Sequence, residues 1–223
     1  MAEEQKMKIT GAIFDMDGTL LDSMDYWGIA AGEYLKHLGI EVSENIDKYF
    51  LEEGLRAWYD YCVEKYALGE PFEVAKSWIY EFMNQRYRTV VKVKEGAREM
   101  LERLHSAGVK MCLATATNRP TVEMILERLS LGKYFDRAFT CGEVGAGKRE
   151  PLIYNLALEH LGTDKETTYV FEDAHYALKT AHEAGFKTVC IYDKNAYEPI
   201  DEMKRLCDLY LSEDDKYRFD FEA

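Results

Sequence analysis

Short apolar segments alternate with amphipathic helical patterns over the second half of the chain. Between the segments, apolar residues recur every three or four positions, which predicts helices that bury one face. Alternation of this kind favours βαβ units and a mostly parallel sheet covered on both faces. The predicted strands are ITGAIF (9–14), VKMCLA (109–114), RAFTC (137–141), TTYVFE (167–172), KTVCIYD (187–193) and CDLYLS (207–212).

Residues 20–90 interrupt this alternation directly after the first predicted strand. The segment lacks strand patterns, and it holds all three tryptophans and about half of the aromatic residues. That bulk suffices for a small core of its own. We therefore predict a core domain from residues 1–19 and 91–223, and an inserted helical cap domain over residues 20–90. The acidic tail SEDDKYRFDFEA (212–223) is expected to be a solvated end.

Charge and composition narrow the function classes. The net charge is -13, which disfavours binding to nucleic acids and anionic membranes because both require a positive field. The five cysteines show no CxxC spacing, and the polar start MAEEQKMK lacks the apolar centre of a signal peptide. No apolar run is long enough for a membrane helix. We expect a reduced, cytoplasmic, monomeric protein.

Polar side chains with phosphate and metal chemistry follow four of the predicted strands. The carboxyl ends of parallel strands lie at one edge of a sheet, so these side chains should converge if the strands are neighbours. Carboxylates suit Mg²⁺, and a lysine and a hydroxyl suit phosphoryl oxygens. Four carboxylates this close would repel one another without a cation. The set is Asp15, Asp17, Thr115, Lys148, Glu172 and Asp173.

The stretch CGEVGAGKREP (141–151) has the glycine and lysine spacing of a nucleotide-binding phosphate loop. Such a loop requires Ser or Thr directly after the lysine to hold Mg²⁺, and it runs straight into a helix. Here Arg149 follows Lys148, and Pro151 precedes the helical pattern. We expect Lys148 to handle a phosphoryl group at the aspartate site, carried there by a flexible glycine loop. A nucleotide hydrolase remains an alternative hypothesis.

The motif FDMDGTLLDS (14–23) resembles the first motif of the haloacid dehalogenase superfamily of phosphotransferases. Later motifs follow in order: Thr115 in LATATN, Lys148 in GAGKREP and the acidic pair in VFEDA. The resemblance spans about residues 9–211. It implies a Rossmann-like, doubly wound parallel sheet with an inserted α-helical cap of type C1. The similarity is greatest to subfamily I and its beta-phosphoglucomutase-like phosphatase branch.

The resemblance also implies roles for the first two aspartates. Asp15 would attack phosphorus and become an aspartyl phosphate. Asp17 would protonate the leaving oxygen and later activate water, and its backbone carbonyl would bind Mg²⁺. An acid at position 17 is typical of phosphate ester hydrolysis, since dehalogenases and phosphonate hydrolases of the superfamily lack it.

The remaining motif residues would hold the phosphoryl group and the cofactor Mg²⁺. Lys148 would neutralise charge and Thr115 would donate a hydrogen bond. The implied metal ligands are Asp15, Asp17, Glu172 and Asp173. The implied substrate contacts are Thr115, Ala116 and Lys148. Trp27 is expected to pack in the core of the cap, with a place in the substrate pocket as the alternative.

Two departures from the family pattern bear on function. Ala174 and Ala177 stand where many relatives have Ser and Gly, which removes a hydroxyl near the metal ligands. Trp27 occupies the position of a cap histidine used by sugar-phosphate mutases. The sequence thus predicts a Mg²⁺-dependent phosphatase for a small phosphorylated metabolite, such as a sugar phosphate. The alternatives are a phosphosugar mutase and an inactive phosphate-binding relative.

Overall fold

The computed structural model describes residues 6–42, 45–195 and 200–223. The chain divides into two compact units, one from Met1–Asp22 with Lys92–Ala223 and the other from Ser23–Val91. We call them the core unit and the helical unit. The predicted polar start and the predicted core domain both include residues 1–5, which lie outside the described residues.

The core unit is built on a parallel sheet of six strands in its described part. The strands of the chain are β1 (Met7–Lys8), β2 (Gly11–Phe14), β3 (Lys110–Thr115), β4 (Arg137–Thr140), β5 (Thr168–Glu172), β6 (Lys187–Ile191), β7 (Leu209–Leu211) and β8 (Phe221–Glu222). The large sheet has the order β4-β3-β2-β5-β6-β7, and every neighbouring pair is parallel. This confirms the predicted α/β class, with β7 as an edge strand.

The helices that alternate with these strands follow the predicted apolar stripes. In chain order, the helices are α1 (Met24–His37), α2 (Ile46–Glu53), α3 (Leu55–Tyr66), α4 (Phe72–Thr89), α5 (Ala97–Ser106), α6 (Arg119–Arg128), α7 (Cys141–Val144), α8 (Leu152–Leu161), α9 (His175–Glu183) and α10 (Ile200–Leu206). Asn118 caps α6 by accepting a hydrogen bond from Thr121 N at 3.2 Å, as its position predicts. Helix α8 buries Ile153, Tyr154 and Ala157 completely.

The helical unit, over its described residues, consists of α1 to α4 around an aromatic core. Trp58 is fully buried, and its ring meets Tyr34 and Phe50 edge-on at centroid distances of 5.9 and 5.8 Å. Trp78 packs on Tyr34 at 5.4 Å. The aromatic residues therefore give this unit the core that its composition predicted.

The C-terminal segment, residues 212–223, corrects one prediction. It was expected to be a solvated end, but Tyr217 is only 7% exposed and β8 pairs in parallel with β1. The charged residues of the segment do face solvent, whereas its aromatic residues at 217, 219 and 221 are buried or half-buried. The segment is therefore part of the folded core unit.

No helix within the described ranges is long and apolar enough to cross a membrane.

Candidate active site

The site lies at the carboxyl ends of adjacent strands. Strand β2 leads into Asp15 and lies between β3, which ends at Thr115, and β5, which ends at Glu172. Strand β4, next to β3, leads through α7 towards Lys148. The sheet order therefore brings the predicted residues to one edge, as the convergence argument requires.

Lys148 is the cation at the centre of this edge. Its Nζ donates hydrogen bonds to Asp15 Oδ1 and, at 2.7 Å, to Glu172 Oε1, and all three residues are buried. Burial alone would lower the pKa of Lys148, but the two carboxylates raise it above its usual value. The ammonium group thus stays charged and joins two acids from different strands.

Three buried carboxylates form a cluster that fits a hard cation. Asp15, Glu172 and Asp173 each offer an oxygen within 4.8 Å of the others. Glu172 Oε2 is buried and has no hydrogen-bond partner among the described residues. Burial raises the pKa of all three carboxyl groups, that of Glu172 to about 7. Lys148 does not balance three carboxylates, and Lys94, which also acts on Asp173, is paired with Asp193. A divalent cation with oxygen ligands would neutralise the remaining negative charge.

Asp17 is held on the side of β3. Its Oδ2 accepts a hydrogen bond from Thr117 Oγ1 at 2.7 Å, and Thr117 N in turn donates to Thr115 Oγ1 at 3.1 Å. Thr115 is 1% exposed, whereas Ala116 between them is exposed. The Asp17 carboxylate is not part of the three-carboxylate cluster found in the described residues. The carboxylate of Asp17 thus lies outside the group of oxygens that could hold one metal ion.

Three residues that orient the acids were not predicted from the sequence. Thr19 Oγ1 donates to Asp173 Oδ1 at 2.8 Å, and Tyr154 Oη donates to Glu172 Oε1 at 2.8 Å. Thr117, which binds Asp17, is the third. Thr19 and Thr117 lie within the motif stretches DMDGT and LATATN and could have been considered there. The role of Tyr154 has no local signal, because it depends on how α8 packs against the sheet.

The stretch that carries Lys148 is more ordered than predicted. Instead of a flexible glycine loop throughout, residues Cys141–Val144 form a short helix capped by Thr140, whose hydroxyl accepts from Glu143 N at 3.3 Å. Gly145 then turns the chain in the left-handed region, with φ of 77°. Arg149 lies 4.7 Å above the ring of Tyr176. The contacts of Lys148 with Asp15 and Glu172 agree with a role at the aspartate site.

Trp27 belongs to the helical unit, on α1. Its indole N–H donates to Tyr87 Oη at 2.9 Å, and its ring stacks on Phe50 at 6.1 Å. These contacts agree with the expected packing role. A contact of Trp27 with substrate stays a prediction.

The motif order and this geometry agree with a family match that spans most of the chain. The family model described as haloacid dehalogenase-like hydrolase matches residues 12–191. The chain belongs to this family. It is therefore a hydrolase of the haloacid dehalogenase-like type, and the resemblance seen in the motifs is confirmed.

Individual relatives agree with this assignment. The phosphorylated carbohydrates phosphatase of Thermotoga maritima is 30% identical over 177 residues, 79% of this chain and 82% of the relative. The phosphoglycolate phosphatase of Aquifex aeolicus is 29% identical over 180 residues, 79% of this chain and 81% of that protein. A Thermotoga maritima crystal structure, named provisionally as a beta-phosphoglucomutase, aligns with a TM-score of 0.77 at 26% identity, covering 94% and 97% of the two chains.

Proposed function

We propose that the protein is a Mg²⁺-dependent phosphatase that hydrolyses a small phosphate monoester through an aspartyl phosphate on Asp15. The observation that carries this proposal is the contact of Asp15 with Lys148 beside two further buried carboxylates, with Asp17 two residues along the chain. Related proteins named as phosphatases of phosphorylated carbohydrates and of phosphoglycolate support the substrate class.

The family pattern assigns the side chains the following roles, and their contacts support them. A carboxylate oxygen of Asp15 attacks phosphorus, and the bond from phosphorus to the ester oxygen breaks. Asp17 gives its proton to the leaving oxygen, and as a carboxylate it then takes a proton from the water that releases phosphate. Lys148 neutralises the charge that gathers on the transferring group.

The metal site would be formed by Asp15, Glu172 and Asp173, with the backbone carbonyl of Asp17 as the further ligand proposed from the family pattern. Bound Mg²⁺ would offset the negative charge of the phosphoryl group and of the buried carboxylates. The unpartnered Glu172 Oε2 among the described residues supports this ligand set. Thr115 and the backbone at Ala116 are proposed to bind phosphoryl oxygens, and the helical unit is proposed to be the C1 cap that selects the substrate.

The test is release of orthophosphate from a panel of sugar phosphates and other small monoesters, with Mg²⁺ and with EDTA. Asp15→Asn should abolish release, whereas Asp22→Asn, the same change at an exposed acid, should leave it intact. Rapid acid quenching should find phosphate on the peptide that contains Asp15. Equal release by Asp15→Asn would refute the proposal.

A phosphosugar mutase is the second candidate, favoured by the likeness to the structure named provisionally as a beta-phosphoglucomutase. A mutase must protect its aspartyl phosphate from water, and Trp27 replaces the histidine that mutases of the family carry in the cap. Incubation with a sugar monophosphate and a sugar bisphosphate activator separates the two. Isomerised product with little free phosphate would indicate a mutase, and metal binding without turnover of any ester would indicate an inactive relative.

A further inference from the structure

The C-terminal segment, residues 212–223, is fastened to the core unit beside α5. Lys216 Nζ pairs with Glu95 Oε1 at 2.6 Å. The carbonyl of Lys216 lies so close to Gly96 that a Cβ there would overlap it, and Gly96 has a φ of 87°. Arg103 Nη2 donates to the Phe219 carbonyl at 2.7 Å. These contacts fix the course of the segment at several points.

Tyr217 is the residue of this segment that reaches the site. It is 7% exposed, and its hydroxyl donates a hydrogen bond to the backbone carbonyl of Thr19. Thr19 is fully buried in the turn that follows Asp17, and its own hydroxyl donates to Asp173 Oδ1 at 2.8 Å. A continuous path of two hydrogen bonds therefore links Tyr217 to a carboxylate of the metal cluster.

A second contact of the segment reaches the strand that bears the acidic pair. The ring of Phe219 lies 6.1 Å from that of Phe171, the residue that precedes Glu172 on β5. Phe171 is fully buried and also stacks on Phe14 of β2 at 4.3 Å. The segment thus packs on β5, and Phe171 in turn packs on β2.

We infer that Tyr217 is a positioning residue, which holds the turn at Thr19 so that the Thr19 hydroxyl orients Asp173 for the metal. This inference rests on the proposed metal-dependent function. A carboxylate held in one orientation binds a cation without first losing rotational freedom, and residues that orient metal ligands commonly affect affinity by about 10- to 100-fold. Tyr217 reaches the metal ligand Asp173 only through Thr19, so its effect on Mg²⁺ affinity should be smaller.

The test is Tyr217→Phe in the full chain, with Mg²⁺ binding measured by isothermal titration calorimetry. The variant keeps the ring and loses only the hydroxyl. We expect the dissociation constant for Mg²⁺ to rise about three- to tenfold. The matched control is Tyr134→Phe, which removes the hydroxyl of another buried tyrosine, one that donates to Glu102 Oε2 at 2.6 Å. The control should bind Mg²⁺ as the wild type does, because Tyr134 has no contact with the three-carboxylate cluster in the described residues.

Two results would overturn the inference: unchanged Mg²⁺ affinity in Tyr217→Phe, or the same loss of affinity in both variants. The proposed function fails separately. Wild-type protein that binds Mg²⁺ but releases no phosphate from any ester would refute the phosphatase, while the comparison of affinities would still decide the role of Tyr217. Wild-type protein that binds no Mg²⁺ would refute both.

Discussion

Replacing Glu172 by glutamine tests whether the buried carboxylates hold unfavourable charge when no cation is bound. Burial raises the pKa of Glu172 from 4.5 to about 7, although Lys148 draws it down and Asp15 adds to the rise. A carboxyl group with a raised pKa stabilises the folded state below the pKa of the unfolded chain, and this stability is lost as the pH rises through about 7. At about 1.4 kcal/mol for each pKa unit, the loss is about 3 kcal/mol.

The assay is denaturant unfolding in EDTA at about pH 5 and about pH 8, on the wild type and Glu172→Gln. Glutamine fills the same space, can still accept from Lys148 and Tyr154, and does not titrate. As the pH rises from about 5 to about 8, the free energy of unfolding of the wild type should therefore fall by about 3 kcal/mol relative to that of the variant. A control, Glu159→Gln at an exposed position of α8, should show no such gain. A pH-independent difference between wild type and Glu172→Gln would refute the reasoning.

Mg²⁺ should offset part of the stability that the wild type loses relative to Glu172→Gln. At about pH 8, Mg²⁺ at 100 times its dissociation constant should add about 2.7 kcal/mol to the wild type. Glu172→Gln lacks a proposed ligand and should gain less at the same concentration. Equal gains would indicate that Glu172 is not a ligand.

Three further changes have defined outcomes. Tyr154→Phe removes a buried donor to Glu172 and should lower the free energy of unfolding by about 1 kcal/mol, because Lys148 still satisfies the same oxygen; an unchanged denaturation midpoint would contradict this. Trp58→Ala should cost about 3 to 5 kcal/mol in denaturant unfolding, since the ring is fully buried, and a loss below about 1 kcal/mol would refute its role in the core of the helical unit. Gly18→Ala should abolish Mg²⁺ binding and phosphate release, because the added Cβ would overlap Asp173 Oδ2 and because Gly18 has a φ of 79°, which alanine rarely adopts. Retained Mg²⁺ affinity would show that the turn can relax.

The sequence predicted the sheet and the convergence at its edge because both depend on local patterns. Each strand is a short apolar run, and the polar residues Asp15, Thr115 and Glu172 follow directly from those runs. Parallel pairing then leaves little freedom in where strand ends lie. The same reasoning could not predict the hydrogen bonds that orient the acids. Tyr154, for example, reaches Glu172 only because α8 packs on the sheet.

The prediction for the C-terminal segment was wrong because it rested on the charge of the segment rather than on its alternating aromatic residues. Its acidic residues suggested a solvated end, yet Tyr217, Phe219 and Phe221 alternate with polar residues, which is the pattern of a strand with one buried face. The run is short, and its partner β1 has only two residues, so neither strand could be identified alone. Long-range pairing, rather than local preference, determines this part of the fold.

The position of β2 in the middle of the sheet has a consequence for how the protein is made on the ribosome. Gly11 pairs with Lys110 on one side and with Thr168 on the other, so β2 leaves the ribosome long before either neighbour exists. Residues 23–91, whose contacts are local, can fold in that interval, at synthesis rates of about 5 to 20 residues per second. The apolar strand β2 therefore stays unpaired until β3 and β5 have been synthesised, so the central pairing of the sheet forms late in synthesis.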